Sequence, residues 1–304
     1  MSIRIVPEGE LTQAAGEIPP LLLPDPKTLY LTRARRLELL AAGHAMADYL
    51  NFCARIAHAQ HALVAEHPLA LPARDAYFTE CARHGLPPLG SAAWPRDAVW
   101  QDLLDALLGK LLPGTTGIVA DAIMTLQGME RSEREARASA LLAGRFDSVS
   151  AAEALFVWAA LSVYFSQLAA ALKISTVTEP DESRHQCPVC SQGPVASIVK
   201  IGDKAGLRYL HCTLCESEWH MVRVKCSNCE STRDIGYWSL EAQAPGIRAE
   251  SCGDCHSYLK VMALDKDMAL EAVADDLATL MLDAATEEQG FARSAINPFL
   301  FPGS

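Results

Sequence analysis

The segment GLRYLHCTLCESEWHMVRVKCSNC, residues 206–229, decides the fold. It contains two Cys-x-x-Cys pairs, Cys212-Thr-Leu-Cys215 and Cys226-Ser-Asn-Cys229, with only 10 residues between them. Upstream, 21 residues separate Cys212 from a third pair, Cys187-Pro-Val-Cys190; downstream, 22 residues lead to a fourth, Cys252-Gly-Asp-Cys255. Two residues between cysteines let a tight turn aim both sulfurs at one point, and two such turns supply the four thiolates of a tetrahedral metal site. Eight of the ten cysteines are therefore candidate metal ligands.

The alternation of long and short gaps suggests a repeat. Gly206-Leu-Arg208 stands six residues before Cys212, and Gly246-Ile-Arg248 six before Cys252, so a shift of 40 residues lays GLRYLHCTLC on GIRAESCGDC. Each unit reads as knuckle, hairpin, knuckle. The expected ligation is sequential: Cys187, Cys190, Cys212 and Cys215 on one ion, Cys226, Cys229, Cys252 and Cys255 on the other. A cross-brace, pairing first with third and second with fourth, is the alternative; the repeat weighs against it, because each repeated unit should enclose its own centre. His185, His211, His220 and His256 flank the pairs but are not expected as ligands, since each unit already has four sulfurs.

A thiolate tetrahedron suits iron or zinc. Four thiolates leave no position for water, so neither centre is expected to be hydrolytic. Rubredoxin knuckles usually place a small residue, often glycine, just after the second cysteine. Here those positions are Ser191, Glu216, Glu230 and His256, a departure that weighs against electron transfer.

The remaining composition narrows the function. The chain has 304 residues, half of them hydrophobic, enough for two domains and a sizeable core. Lys and Arg total 26 against 37 Asp and Glu, a formal charge of −11 that disfavours nucleic acid and anionic membrane surfaces. The metal region is not basic either: ten Lys and Arg stand against twelve Asp and Glu between Asp181 and Leu270, so a zinc-ribbon nucleic-acid binder is disfavoured. The start, MSIRIVPEGELTQ, lacks the apolar core of an export signal, and Arg35-Arg36 is followed by the helical LELLAAGH. The expected compartment is the reducing cytoplasm, where paired cysteines indicate metal more often than disulfide.

The expected class is α+β. Residues 1–27 read as an irregular arm, 28–175 as a helical bundle, 176–184 as a polar linker, 185–265 as the tandem rubredoxin-like or zinc-ribbon-like module (187–215 and 226–255), and 266–304 as a C-terminal helix and tail. Met46, Leu50, Cys53, Ala57 and Leu63, with Tyr49, Ile56 and Val64 beside them, mark one buried helix face that stops near Pro68. Further helices are expected at Ala98–Leu112, Gly117–Thr125, Glu133–Ala143 and Val149–Leu172. Ala154–Leu172 holds no charge over nineteen residues, long enough to span a bilayer. Its alanines, Ser162, Ser166 and Gln167 favour a buried core helix instead, so no membrane span is expected. Strand-like runs lie at Val195–Ile201, Arg208–His211, Trp219–Lys225 and Tyr237–Leu240. On the C-terminal helix, Val273, Leu277, Leu280, Met281 and Ala284 are expected to share the buried face, with Asp275-Asp276 and Glu287-Glu288 solvated. His58 and His61 share a helix side without an obvious acidic partner, and Cys53, Tyr209 and Trp219 read as packed. The sequence has no nucleophile elbow, phosphate-cradling glycine loop or dinucleotide fingerprint, and no catalytic constellation is expected.

With these residues in view, the chain resembles the formate dehydrogenase accessory protein FdhE family. The resemblance rests on AGHAMADYLNFCARIAHAQ (Ala42–Gln60), CPVC (Cys187–Cys190), residues 206–229 quoted above, AESCGDCHSYLK (Ala249–Lys260), DKDM (Asp265–Met268), ADDLATLMLD (Ala274–Asp283) and NPFL (Asn297–Leu300). It implies a cytoplasmic, non-enzymatic assembly factor that binds the catalytic subunit of molybdenum-containing respiratory formate dehydrogenases before export. It also implies two iron ions in rubredoxin-like centres, with zinc the other metal that fits. A redox protein that delivers or senses electrons is the competing function.

Overall fold

A computed structural model of the chain describes residues 18–177, 185–240 and 244–302. The expected linker, from 178 onward, and most of the expected arm lie outside these residues. Helix α1 (Pro26–Ala41) starts with Asp25 as its cap, whose carboxylate accepts the Lys27 N–H at 3.2 Å, and with Pro26 in the first turn, where its missing N–H costs nothing. Helix α2 (Ala47–Glu66) stops just before Pro68, as expected. Next come α3 (Asp75–Arg83), α4 (Val99–Leu111), α5 (Gly117–Gly128), α6 (Arg131–Leu142) and α7 (Ala151–Ala170). The short α3 has no readable period because it buries only Phe78 and Cys81.

Helix α7 is the uncharged stretch. Every residue from Ala154 to Ala169 is buried, with α1, α2, α4, α5 and α6 packed around it. Its polar groups face partners inside the protein. The Tyr30 hydroxyl lies 2.9 Å from both Ser162 Oγ and Ser166 Oγ, and Gln167 Oε1 accepts the Leu69 N–H at 3.0 Å. This is a core helix.

The 40-residue repeat extends through all three strands of each unit. The first unit has β2 (Pro194–Val199), β3 (Arg208–Cys212) and β4 (Glu218–Met221); the second has β5 (Ile235–Ser239), β6 (Ile247–Cys252) and β7 (Ser257–Ala263). Each is an antiparallel meander, and parallel pairing of β2 with β7 joins them. With β1 (Leu21–Leu22) on β4 and β8 (Ala292–Arg293) on β7, one sheet runs β1-β4-β3-β2-β7-β6-β5. β6 and β7 escape a search for apolar runs because Arg248, Glu250 and Lys260 interrupt them. β4 ends before the expected Lys225, and Val224 takes a φ of 60° on the way into the next knuckle.

The C-terminal segment and His58 depart from the sequence expectations at three points. The C-terminal helix is two helices, α8 (Ala272–Ala278) and α9 (Leu280–Glu287). Lys260 Nζ holds the break, donating to the carbonyls of Asp276 (2.8 Å) and Thr279 (3.2 Å). The register therefore changes: Val273 and Leu277 are buried, but Met281 is 70% exposed and Leu282 and Thr286 take the inner face. Asp275 and Asp276 are not solvated, each being 1% exposed. Arg36 grips Asp275 at 2.6 and 2.9 Å, while Asp276 meets Arg293, Lys260 and Asn297. His58 does have an acidic partner, Glu38 of α1, at 2.8 Å. The buried carboxylates of Asp275 and Asp276, unlike exposed Glu38, persist inside only because they are paired.

The turn glycine of each unit has a left-handed backbone, with φ of 79° at Gly206 and 85° at Gly246. A Cβ at Gly206 would meet only the Arg223 guanidinium, at 3.8 Å; at Gly246 it would lie 2.7 Å from Lys266 Cβ and 3.2 Å from the Ala263 carbonyl. Alanine at either position carries a backbone cost of about 1–2 kcal/mol. Gly246→Ala adds the clash, so its melting temperature should fall further than that of Gly206→Ala. Equal shifts in a thermal melt would contradict this packing.

Candidate metal centres

Each centre is made by one knuckle that precedes a meander and one in that meander's last hairpin. Cys187 and Cys190 lead into β2, with Cys212 and Cys215 at the β3–β4 turn; Cys226 and Cys229 lead into β5, with Cys252 and Cys255 at the β6–β7 turn. The strands thus bring the cysteines together in the sequential grouping, not the cross-brace. Within each quartet all four Sγ atoms lie within 4.8 Å of one another. Cys187–Cys215 and Cys190–Cys212 are separated by 3.5 and 3.4 Å, Cys226–Cys255 and Cys229–Cys252 by 3.7 and 3.6 Å. A tetrahedron with metal–sulfur bonds of about 2.3 Å has edges of about 3.8 Å. Disulfide sulfurs would stand about 2.05 Å apart.

The residue after each second cysteine must turn the chain sharply. Ser191, Glu216, Glu230 and His256 all have left-handed φ values, between 54° and 66°. The turn closes with an N–H to carbonyl bond back to the first cysteine, seen at Ser191→Cys187 (2.9 Å), Glu230→Cys226 (3.0 Å) and His256→Cys252 (2.8 Å). The knuckle geometry therefore forms without glycine. Sulfur also gains donors: the N–H groups of Leu214 and Asn228 reach Cys212 and Cys226 at 3.4 Å. Ser217 and Ser257, in matching places, set hydroxyls 3.3 and 3.0 Å from Cys215 and Cys255.

The donor sets fit a soft cation. Burial pushes the Cys190 and Cys212 thiols well above their usual range, because a lone thiolate there would lose its water. Four sulfurs this close share one site as thiolates only with a cation among them.

The two centres differ in surroundings. All four cysteines of the first are buried and fixed to the helices. The N–H groups of Leu89 and Ser91 donate to the carbonyls of Val189 and Cys190 at 2.9 Å, and Trp158 Nε1 of α7 donates to the Thr213 carbonyl at 2.9 Å. Glu216, next to Cys215, accepts two bonds from Arg33 of α1 (2.8 and 2.7 Å), one from Ser162 (3.1 Å) and one from His211 (2.7 Å). Arg33 also holds Glu271, at 3.0 Å. Burial alone would raise the Glu216 pKa, but Arg33 and His211 outweigh it and hold the group at about 2. Burial would lower His211; Glu216 and Glu218, one on each ring nitrogen, bring it instead to about 9, which favours the imidazolium. The sequence reading missed this network. Its one signal was a glutamate at a turn position that glycine fills more easily.

In the second centre Cys229 is exposed and Cys255 half-buried, beside an open recess of 680 Å³ lined by Glu230, Arg233 and Asp254. A chelator should therefore strip metal from the second centre faster than from the first, by roughly an order of magnitude or more, since the first opens only with its surrounding core. Two equal release phases in a chromogenic chelator assay would contradict the asymmetry. Tyr209 and Trp219 are buried over the module, and Cys53 and Cys81 are buried apart from both quartets.

Comparison with known proteins covers the whole chain. Three family models match in succession: "FdhE, N-terminal" over residues 18–182, "FdhE, central domain" over 186–223 and "FdhE, C-terminal domain" over 224–300. The Protein FdhE homolog of Edwardsiella ictaluri is 51% identical over 308 residues, spanning both chains completely. Protein FdhE of Salmonella typhimurium is 51% identical over 307 residues, covering 100% of this chain and 99% of that one. The crystal structure of the FdhE protein from Pseudomonas aeruginosa superposes with a TM-score of 0.87 at 39% identity, covering 94% of this chain and 100% of the other.

Proposed function

Because this chain belongs to the FdhE family, we propose that it is a non-enzymatic assembly factor that binds the catalytic subunit of a molybdenum formate dehydrogenase in the cytoplasm, before that subunit is exported. The observation that carries the reading is similarity to FdhE proteins along the entire length, helices and metal module together. Cys187, Cys190, Cys212 and Cys215 hold one metal ion, and Cys226, Cys229, Cys252 and Cys255 the other, with iron the preferred metal. An ion bound this way supplies folding energy and a fixed charge, and its four thiolates leave no place for a substrate water. The chain's own residues do the rest: Glu216, Arg33 and Trp158 lock the first centre to the helical layer, so sheet and helices offer a client one rigid body.

A tagged copy in anaerobic, formate-grown cells should enrich a formate dehydrogenase catalytic subunit. Repeated purification without that subunit would overturn the reading. A second reading, electron transfer to the client or oxygen sensing, is supported by the solvent exposure of Cys229. Anaerobically purified protein would then be red when oxidised and bleach with dithionite. Colourless protein with stoichiometric zinc would remove it.

A further inference from the structure

The two meanders meet along β2 and β7, and beside that seam lies a cleft of 670 Å³ with Arg223, Arg248 and Lys266 in its lining. Elsewhere in this acidic chain Arg33, Arg36, Arg134 and Arg293 each pair with carboxylates. Among the described residues, neither Arg223 nor Arg248 has a carboxylate partner. Lys266 has only an exposed contact, 3.8 Å from Asp265. Among the described residues that line the cleft, three cations thus stand with one carboxylate, Asp265.

The cleft is built rather than accidental. The Arg248 guanidinium lies 4.6 Å from the centroid of the Tyr237 ring, which it stacks over. The Tyr237 hydroxyl donates to Glu250 at 3.0 Å, and Glu250 is neutralised by buried Arg208 at 2.8 Å. Arg208 is the repeat counterpart of Arg248. One arginine of the repeated pair secures the platform; the other stays free above it. The two turn glycines lie against the other cations, Gly206 near Arg223 and Gly246 against Lys266.

We propose that this cleft binds a phosphate-bearing small molecule. A carboxylate is satisfied by one guanidinium fork, whereas a phosphate of nearly two charges and three acceptor oxygens uses several cations. The volume falls in the small-ligand range of about 300–1,000 Å³ and exceeds what phosphate alone would fill. The net charge of −11 does not prevent binding, because exposed charges are largely screened beyond about 8 Å at physiological salt. The cleft lining includes no cysteine of either quartet.

Calorimetry on the full-length, metal-loaded chain tests this with inorganic pyrophosphate, ADP and hexaglutamate as probes. Pyrophosphate or ADP should bind with Kd below about 1 mM. Tighter binding of ADP would identify an organic phosphate, and equal binding an inorganic one. The double variant Arg223→Gln/Arg248→Gln should weaken binding roughly tenfold or more, the loss expected for charge-assisted hydrogen bonds. Its melting temperature should hold, since neither arginine is ion-paired among the described residues; if it falls, Lys266→Gln provides the same comparison from the other wall. No heat from either phosphate probe at about ten times that Kd, undiminished binding by the variants, or tighter binding of hexaglutamate would overturn the proposal.

Discussion

Cys212→Ser is expected to cost the protein one of its two metal equivalents and to lower the melting temperature of the whole chain. From sequence, with a polar linker between the helices and the cysteines, thiolate loss reads as a local event that leaves the helical bundle folded. The packing gives a different expectation. Cys187, Cys190, Cys212 and Cys215 belong to the same hydrophobic cluster as Trp158, Leu161 and Leu104. Trp158 Nε1 spends its hydrogen bond on the Thr213 carbonyl, between the two cysteines of the hairpin knuckle. A structural four-ligand site contributes on the order of 10 kcal/mol to folding. Releasing that ion leaves buried thiols without their cation and loosens the surface on which α7 rests. Metal content should fall from two equivalents to one, with helical ellipticity lost at lower temperature. Cys229→Ser, in the exposed centre, should lose metal with a smaller shift. Equal melting shifts for the two variants, or two equivalents retained by Cys212→Ser, would contradict this.

Glu216→Ala is expected to be the most destabilising change outside the cysteines. The carboxylate is fully buried, and Arg33, His211 and Ser162 all point at it. Removing it leaves Arg33 relying on Glu271 alone and His211 on Glu218. Breaking one side of a buried ion pair costs about 3–5 kcal/mol, which in a domain of this size lowers the melting temperature by about 10 °C. The penalty should depend on pH. His211 has a raised pKa, so its share is present below about 6.5 and is lost as pH rises through about 9. Glu216 has a depressed pKa, so its share is present above about 4.5 and is lost as pH falls toward about 2. The gap between wild type and variant is therefore widest near neutrality and narrows in acid and, in part, above pH 9. A gap that stays constant from pH 3 to 10 would show that Glu216 acts through packing and not through charge.

Spacing alone carried the metal centres. Two intervening residues fix a knuckle, and a 40-residue self-similarity fixes which knuckles meet, so the grouping of cysteines was legible without coordinates. Helix α7 was legible in part: its lack of charge showed burial, but the partners that distinguish core from bilayer, Tyr30 and Leu69, come from distant segments. The charged interior was not legible. Asp275 and Asp276 look like surface residues in any window, because the groups that neutralise them, Arg36, Lys260 and Arg293, lie between 16 and 239 residues away along the chain. The same holds for Glu216 and Arg33. Long-range ion pairs leave no periodic trace, and β6 and β7 were obscured for the same reason, since each hides a paired charge inside a strand.

Two separate four-sulfur metal centres underlie both the packing and the proposed function. X-ray absorption at the iron and zinc edges, combined with elemental analysis of full-length protein purified without air, tests this directly. Two equivalents of metal per chain, each with four sulfur neighbours at about 2.3 Å, is the predicted result. Fewer than one equivalent, or a first shell dominated by oxygen and nitrogen, would contradict it.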